Sequence, residues 1–279
     1  MVEMRRRPVH PALLPYVEEL WHSEAGASDV ARERSLPSGR RHLVIRLTDT
    51  PIAIFADAHD SVGARFHGGV LGGGRAGAYL RGCADPVVSV GATLRPAGLA
   101  LLGLRADDVG APHHGLADVW APAARLRERL QALADAAARL DHLEAALVAV
   151  APASDPTPAA VRMALRRLDD GDARIADVRD ESGYSARGFT ALFHAHVGHN
   201  PKMYARIRRF QRAIRLVRPE QDWTTVALLA GYADHPHLVR DFREFAGITP
   251  RDYRPLVDQP NHVPVRGVAF VQAAGPGRP

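Results

Sequence analysis

Arg240 and Arg243 stand three residues apart in a stretch whose apolar positions, Leu238, Phe242 and Phe245, repeat at helical spacing. On such a helix the arginines face away from the core, and a guanidinium can donate two parallel hydrogen bonds to guanine O6 and N7, worth about 1–3 kcal/mol of discrimination. His235, His237 and Val239 are outward on the same pattern. A second stretch offers a comparable set: with Phe189, Leu192 and Phe193 inward, Arg187, Gly188, Thr190, Ala191 and His194 are left outward. Around both lie candidates for phosphate contact, namely Ser185, Lys202, Arg206, Arg209 and Arg251. The charge distribution agrees. Residues 157–256 hold 17 Lys+Arg against 12 Asp+Glu, whereas residues 1–156 hold 17 against 18, and Lys202–Arg218 carries seven bases and no acid. A polyanionic partner is the expectation, with a solvated helix face as the bland alternative.

Other chemistry-bearing residues are less organised. His10, His22, His42, His59 and His67 are scattered through a β-type region where three could meet on a metal, but no His-x-His or His-Glu-x-x-His pairing occurs. They read as satisfied or surface histidines, and neither a metal nor a cofactor is expected. Gly68–Gly74 lacks the Lys-Ser/Thr ending of a phosphate loop and reads as a loop or bulge. His113-His114, between Pro112 and Gly115, also reads as a loop. The single cysteine, Cys83, excludes an internal disulfide and a thiolate zinc cluster, reads as a small buried group, and suits a reducing, cytoplasmic compartment. No apolar run of signal-peptide or membrane-span length is present, so no membrane partner is expected. Trp21, Phe55, Phe66 and Tyr79 are candidate walls of a ligand pocket, with core packing the alternative for each.

The elements that must position these residues come in two copies. Ile175, Val178, Gly183 and Tyr184 recur 48 residues later as Trp223, Val226, Gly231 and Tyr232. Phe189, Phe193, Gly198, Pro201, Lys202 and Tyr204 recur 49 later as Leu238, Phe242, Gly247, Pro250, Arg251 and Tyr253. Each copy reads as helix, glycine turn, helix: Gly183 and Gly231 allow positive φ, Ser185 caps one second helix, and Asp234 with Pro236 starts the other. Asp222 caps the first helix of the second copy. Met203, Ile207, Phe210, Ile214 and Val217 mark a long helix between the copies, roughly 24 Å at 1.5 Å per residue. A spacer of that size would hold two reading helices near the ~34 Å repeat of successive major grooves. Its other face carries Arg206, Arg208, Arg209, Arg212 and Arg215.

Upstream, Tyr16–Trp21, His42–Leu47, Ile52–Phe55, Tyr79–Arg81 and Val87–Leu94 read as strands of a small sandwich or barrel. Leucines at 3-and-4 spacing from Leu99 to Leu147 follow, either packing within the chain or pairing with a second copy. With 279 residues and 46% apolar content, two cores can be filled. The expected fold is therefore α+β: a small β-barrel or sandwich with helices, then an all-α domain of two helix-turn-helix units joined by a long helix. Its divisions are residues 1–151, a proline-rich linker at 152–158 with a helix starting at Thr157-Pro158, residues 159–256, and a tail at 257–279 whose apolar run Val263–Val271 could pack back.

GYSARGFTALFHAHVGHNPKMY (183–204) and GYADHPHLVRDFREFAGITPRDY (231–253) resemble the two halves of the DNA-binding domain of AraC/XylS-type transcription regulators. The resemblance covers about Thr157–Leu256. It implies a seven-helix domain, promoter DNA as partner, and a preceding regulatory module, often cupin-like, that senses a small molecule or dimerises; RNA polymerase is a further partner it admits. PYVEELWHSE, LPSGRRHLVIRL and VSVGATLRPAGLALLGL resemble less studied regulators of the same group. Arg179 and Ser182 stand where the family usually has small or aliphatic core residues, and Ala191 where an arginine is common. These departures imply that the second copy reads bases and the first mainly positions the protein on the backbone. The rival expectation is a cupin-like, metal-dependent enzyme whose helical domain makes protein contacts.

Overall fold

The computed structural model describes residues 2–171, 173–218, 221–257 and 259–265. Its strands are β1 (Val2–Arg7), β2 (Val17–Ala25), β3 (Arg32–Ser35), β4 (Arg41–Arg46), β5 (Ile52–Phe55), β6 (Ala64–Phe66), β7 (Gly69–Gly73), β8 (Tyr79–Gly82), β9 (Val87–Leu94), β10 (His113–Gly115) and β11 (His262–Pro264). They form two antiparallel sheets, β1-β2-β9-β4-β7-β10 and β11-β3-β8-β5-β6. Neither sheet closes, so the expected barrel or sandwich is an open sandwich. The glycine-rich stretch expected to be a loop or bulge is β7, hydrogen-bonded on both sides by β4 and β10. Strand pairing needs only backbone groups, and flanking partners on both edges compensate for missing side chains. His113-His114, also expected in a loop, belongs to β10 for the same reason.

Alternation along the strands divides the first sheet into two faces. Leu20, Leu43, Ile45, Leu71, Val90, Ala92 and Leu94 point to a core closed by the helices α1 (Leu116–Val119), α2 (Ala123–Gln131) and α3 (Ala136–Val150). Leu126, Leu130, Leu140, Leu143 and Leu147 are buried there, which settles the leucine stripes as packing within the chain. Val44 and Val70 point the other way, toward Ile52 and Ile54 of the second sheet.

The remaining helices are α4 (Ala159–Asp170), α5 (Ile175–Ser182), α6 (Ala186–Val197), α7 (Pro201–Leu216), α8 (Trp223–Leu229) and α9 (His235–Ala246). Thr157 makes no cap, since the α4 N-cap is Pro158 with no side-chain hydrogen bond. The helices enclose two cores, one around Val178, Phe189, Phe193 and Tyr204, the other around Phe210, Val226, Phe242 and Phe245. Helix α7 contributes to both. The loop Leu36–Arg40 enters this half: Leu36 joins the second core, Pro37 and Ser38 carbonyls accept from Gln211 and Arg208, and Arg40 is 5% exposed. Tail residues 259–265 do pack back, as β11 on β3; residues 266–279 of the expected apolar run and tail lie outside the described residues.

Candidate nucleic-acid interface

Both helix-turn-helix units form as the repeat requires. Gly183 and Gly231 close α5 and α8 at φ +73° and +85°, a conformation that a Cβ would strain. The second helices are capped from the side chain: Ser185 Oγ accepts from Gly188 N at 3.2 Å, and Asp234 Oδ1 from His237 N at 2.7 Å. Asp222 accepts from Thr224 and Thr225 at the start of α8. The tyrosines of the repeat diverge. Tyr184 is 48% exposed, whereas Tyr232 is 4% exposed beneath the Arg209 guanidinium.

On α9, Pro236, Arg240 and Arg243 are exposed and His235 and Val239 half-buried, so the outward stripe runs much as the sequence placed it. Arg240 and Arg243 form no ion pair among the described residues. His237 departs from the expected set: its ring meets Tyr232 edge-on at 5.2 Å and its Nε2 lies 3.1 Å from Arg209. On α6, Arg187, Thr190, Ala191 and His194 are exposed in one stripe. Thr190 turns its hydroxyl back to the Ala186 carbonyl at 2.9 Å, which reduces what it offers outward.

The phosphate candidates separate into two groups. Ser185, Lys202 and Arg251 are exposed. Arg206 and Arg209 instead brace α7 against α9: Arg206 pairs with Asp241 at 2.7 Å and with Glu244, and Arg209 reaches Asp241 at 3.3 Å. Asp241 is 2% exposed, and a carboxylate so buried requires cationic partners. Nothing in its local spacing announces this, since Asp241 sits between Arg240 and Phe242 in an ordinary amphipathic helix. Arg179, which departs from the family pattern, pairs with Asp180 at 2.6 Å on the surface, while the Ser182 hydroxyl donates to the Arg179 carbonyl.

The N-terminal half touches this surface. Helix α6 packs on the 3-10 turns Pro96–Leu102 and Ala106–Asp108, and Asp107 Oδ1 lies 3.5 Å from His194 Nδ1. Asp107 lines an open cavity of about 720 Å³ together with Arg187, Thr190, Ala191 and His194. At the turn between α6 and α7, His199 is 8% exposed, and burial, then Arg41 and His194, pull its pKa down to about 4. An unfolded histidine takes a proton below its ordinary 6.5, the folded one not until about 4, so in that window the unfolded state binds more protons and stability is lost as pH falls. His199 alone should cost about 3 kcal/mol at pH 4. Melting temperatures measured from pH 7 to 4 should decline more shallowly in His199→Asn than in the parent; parallel curves would refute the assignment.

The scattered histidines lie apart among the described residues. His22 faces α3, 3.1 Å from Arg139, His10 caps the turn Pro11–Leu13, and His42 faces the second sheet. Among the described residues no group of three or more His, Cys, Asp or Glu is placed to hold a metal. The Cys83 thiol is half-buried, donates to the Val30 carbonyl at 2.9 Å, and is pushed up to about 12 by burial and by Glu33. Among the described residues no helix is long and apolar enough to cross a membrane.

A family model described as a helix-turn-helix domain matches residues 161–255. No curated relative matches the sequence. Among solved structures, an apo variant of ToxT from Vibrio cholerae shares 11% identity over 88% of this chain and 98% of its own, with a TM-score of 0.48. ToxT bound to an unsaturated fatty acid shares 11% over 90% and 94%, with a TM-score of 0.47. A further ToxT structure shares 12% over 90% and 97%, with a TM-score of 0.46. Two glycine-turned units, both capped, joined by one shared helix and matched by that family model, place residues 161–255 in the AraC-type helix-turn-helix family of DNA-binding transcription regulators.

Proposed function

We propose that the chain regulates transcription by sequence-specific binding to promoter DNA, with α9 reading bases and α6 mainly seating the domain on the backbone of the neighbouring groove. The observation that carries this is the contrast among arginines. Arg240 and Arg243 are exposed and unpaired on α9, while Arg206 and Arg209 are held by Asp241. Free guanidiniums on a capped helix are what a major groove recognises. Lys202 and Arg251 supply phosphate contacts, so affinity for the upstream region of its own gene, read by gel shift, should fall steeply with salt. Weak binding indifferent to sequence would sink this reading.

The N-terminal half controls that binding in the same reading. Its Asp107 places a carboxylate beside the α6 stripe, where DNA would bring phosphates, so the two compete for one space. Asp107→Asn should therefore tighten operator binding about threefold, the scale of one exposed charge, with no change in melting temperature. Unchanged or weaker binding would remove this control. A small-molecule effector acting on the N-terminal half, a contact with RNA polymerase and a second copy of the chain complete the proposal; with the leucine stripes used inside the core, dimerisation needs another surface.

A further inference from the structure

The imidazole of His237 ends a chain of polar contacts that begins in the core of the second helix-turn-helix unit. Asp241, one turn further along α9, is 2% exposed and accepts from Arg209 Nη2 at 3.3 Å. The same Nη2 lies 3.1 Å from His237 Nε2, and it carries two hydrogens, one for each acceptor. The Arg209 guanidinium lies over the Tyr232 ring, 4.4 Å from its centroid, and Tyr232 in turn meets the imidazole edge-on at 87°. The ring of His237 is therefore held from two sides, by a donor at one nitrogen and by an aromatic neighbour.

This arrangement fixes where the ring proton sits. A guanidinium can only donate, so Nε2 must accept, and a histidine that accepts at Nε2 carries its proton on Nδ1. The two ring nitrogens point nearly opposite ways. With Nε2 turned in toward Arg209, the Nδ1 hydrogen is turned out. Among the described residues Nδ1 has no partner, and it is not closed off from solvent. His237 is the third residue of α9, one turn before the exposed Arg240, and recognition helices contact base edges with their N-terminal residues. What α9 offers at this point is one fixed hydrogen-bond donor.

We propose that His237 determines specificity at one operator position by donating from Nδ1 to purine N7, and that Arg209 acts through it as a positioning residue. This deepens the regulator reading and rests on it. Guanine and adenine both present N7 as an acceptor in the major groove, whereas cytosine presents the N4 donor and thymine offers O4 beside a methyl group. A ring locked as a donor accepts either purine and does not tell one from the other. The opposite tautomer would offer an acceptor and choose differently. Arg240 engages both N7 and O6 of its own guanine, so the two residues need different base pairs.

Two measurements on the full chain test this. With histidine labelled in nitrogen-15, the ring signals lost in His237→Gln identify His237 among the 14 histidines. Without DNA they should show a protonated Nδ1 and a bare Nε2, a bias that Arg209→Met should abolish while Asp241 keeps Arg206. Duplexes selected by the parent chain from a random pool should hold guanine and adenine alike at one position. Replacing that purine with its 7-deaza analogue should weaken binding about three- to tenfold, the scale of one hydrogen bond, and should cost His237→Gln nothing further. Glutamine brings an amide to the place of Nε2 and leaves nothing at that of Nδ1, so the variant should keep the Arg209 contact and the parent's melting temperature. A protonated Nε2 in the free chain, the same tautomer in Arg209→Met, a purine preference that survives His237→Gln, or a loss from His237→Gln that is equal on all duplexes, as for a phosphate contact, would each overturn the proposal. Those outcomes fall on His237 and Arg209 alone; a parent chain that selects no sequence from the pool brings down the regulator reading itself.

Discussion

Arg40→Met should lower the melting temperature of the full chain by about 6–12 °C, the equivalent of about 3 kcal/mol. Arg40 crosses from the N-terminal half into the helical half: its Nε donates to Glu18, its Nη1 to the Tyr204 hydroxyl at 2.7 Å and its Nη2 to Asp169 at 2.8 Å. Its side chain is 4% exposed. Burial alone would weaken the cation, but Tyr204, Asp169 and Glu18 outweigh it and raise its pKa. Methionine keeps much of the volume and removes the charge, leaving two carboxylates without a shared partner. The effect falls at the low end of the range for broken buried pairs because Asp169 retains Arg208 at 2.9 Å and Glu18 is 30% exposed. Burial opposes ionisation of Asp169 and Glu18, yet Arg40 and Arg208 hold both below the ordinary carboxylate range. Their stabilising contribution is therefore present above the unfolded carboxylate pKa and lost as pH falls through the folded values. A shift under 2 °C in Arg40→Met would mean that the bridge does not hold the halves together.

Arg240→Ala should weaken operator binding by about 5- to 150-fold, corresponding to about 1–3 kcal/mol, and should relax preference at one base pair. Arg187→Ala should weaken binding to all sequences alike, by less, because α6 offers one exposed arginine, a self-bonded Thr190 and Ala191. Base-resolved binding profiles for both variants check the order. A greater, base-specific loss from Arg187→Ala would reverse the roles of the two helices.

What could be read from residues alone follows from where the constraints are local. Gly183, Gly231, Ser185, Asp222 and Asp234 act within one turn of where they stand, and all are found in the roles that their chemistry predicts. Long-range placement was less legible. Ile52–Phe55 is apolar throughout, so its alternation does not say which face turns inward; Phe55 in fact lies on the outer face under Arg32, its ring centroid 3.6 Å from the guanidinium carbon, and points away from the facing sheet. Trp21, Phe66 and Tyr79 turn toward the facing sheet, and Phe66 and Tyr79 pack there beside Ile52, Ile54 and Val70. Arg206 and Arg209 show the same limit on a helix: their outward spacing is real, but Asp241 on a neighbouring helix occupies them. Asp107, about ninety residues from His194 in sequence, carried no local signal at all.

The pairing of β11 with β3 gives the helical half a second attachment. The chain leaves the N-terminal half through residues 152–158 and returns to it through residues 259–265, where the Leu36 amide donates to the Asn261 carbonyl and Gln211 also binds the Asn261 side chain. A domain hung on one linker can tumble in any direction. One fixed at both ends of its sequence, and gripped between them by Leu36 and Arg40, is restrained from several sides at once. Because Val263 of the return strand lies in the same core as Phe210, Phe242 and Leu36, cutting that strand would open the helical half as well as detach it, so the tether and the core it closes stand or fall together.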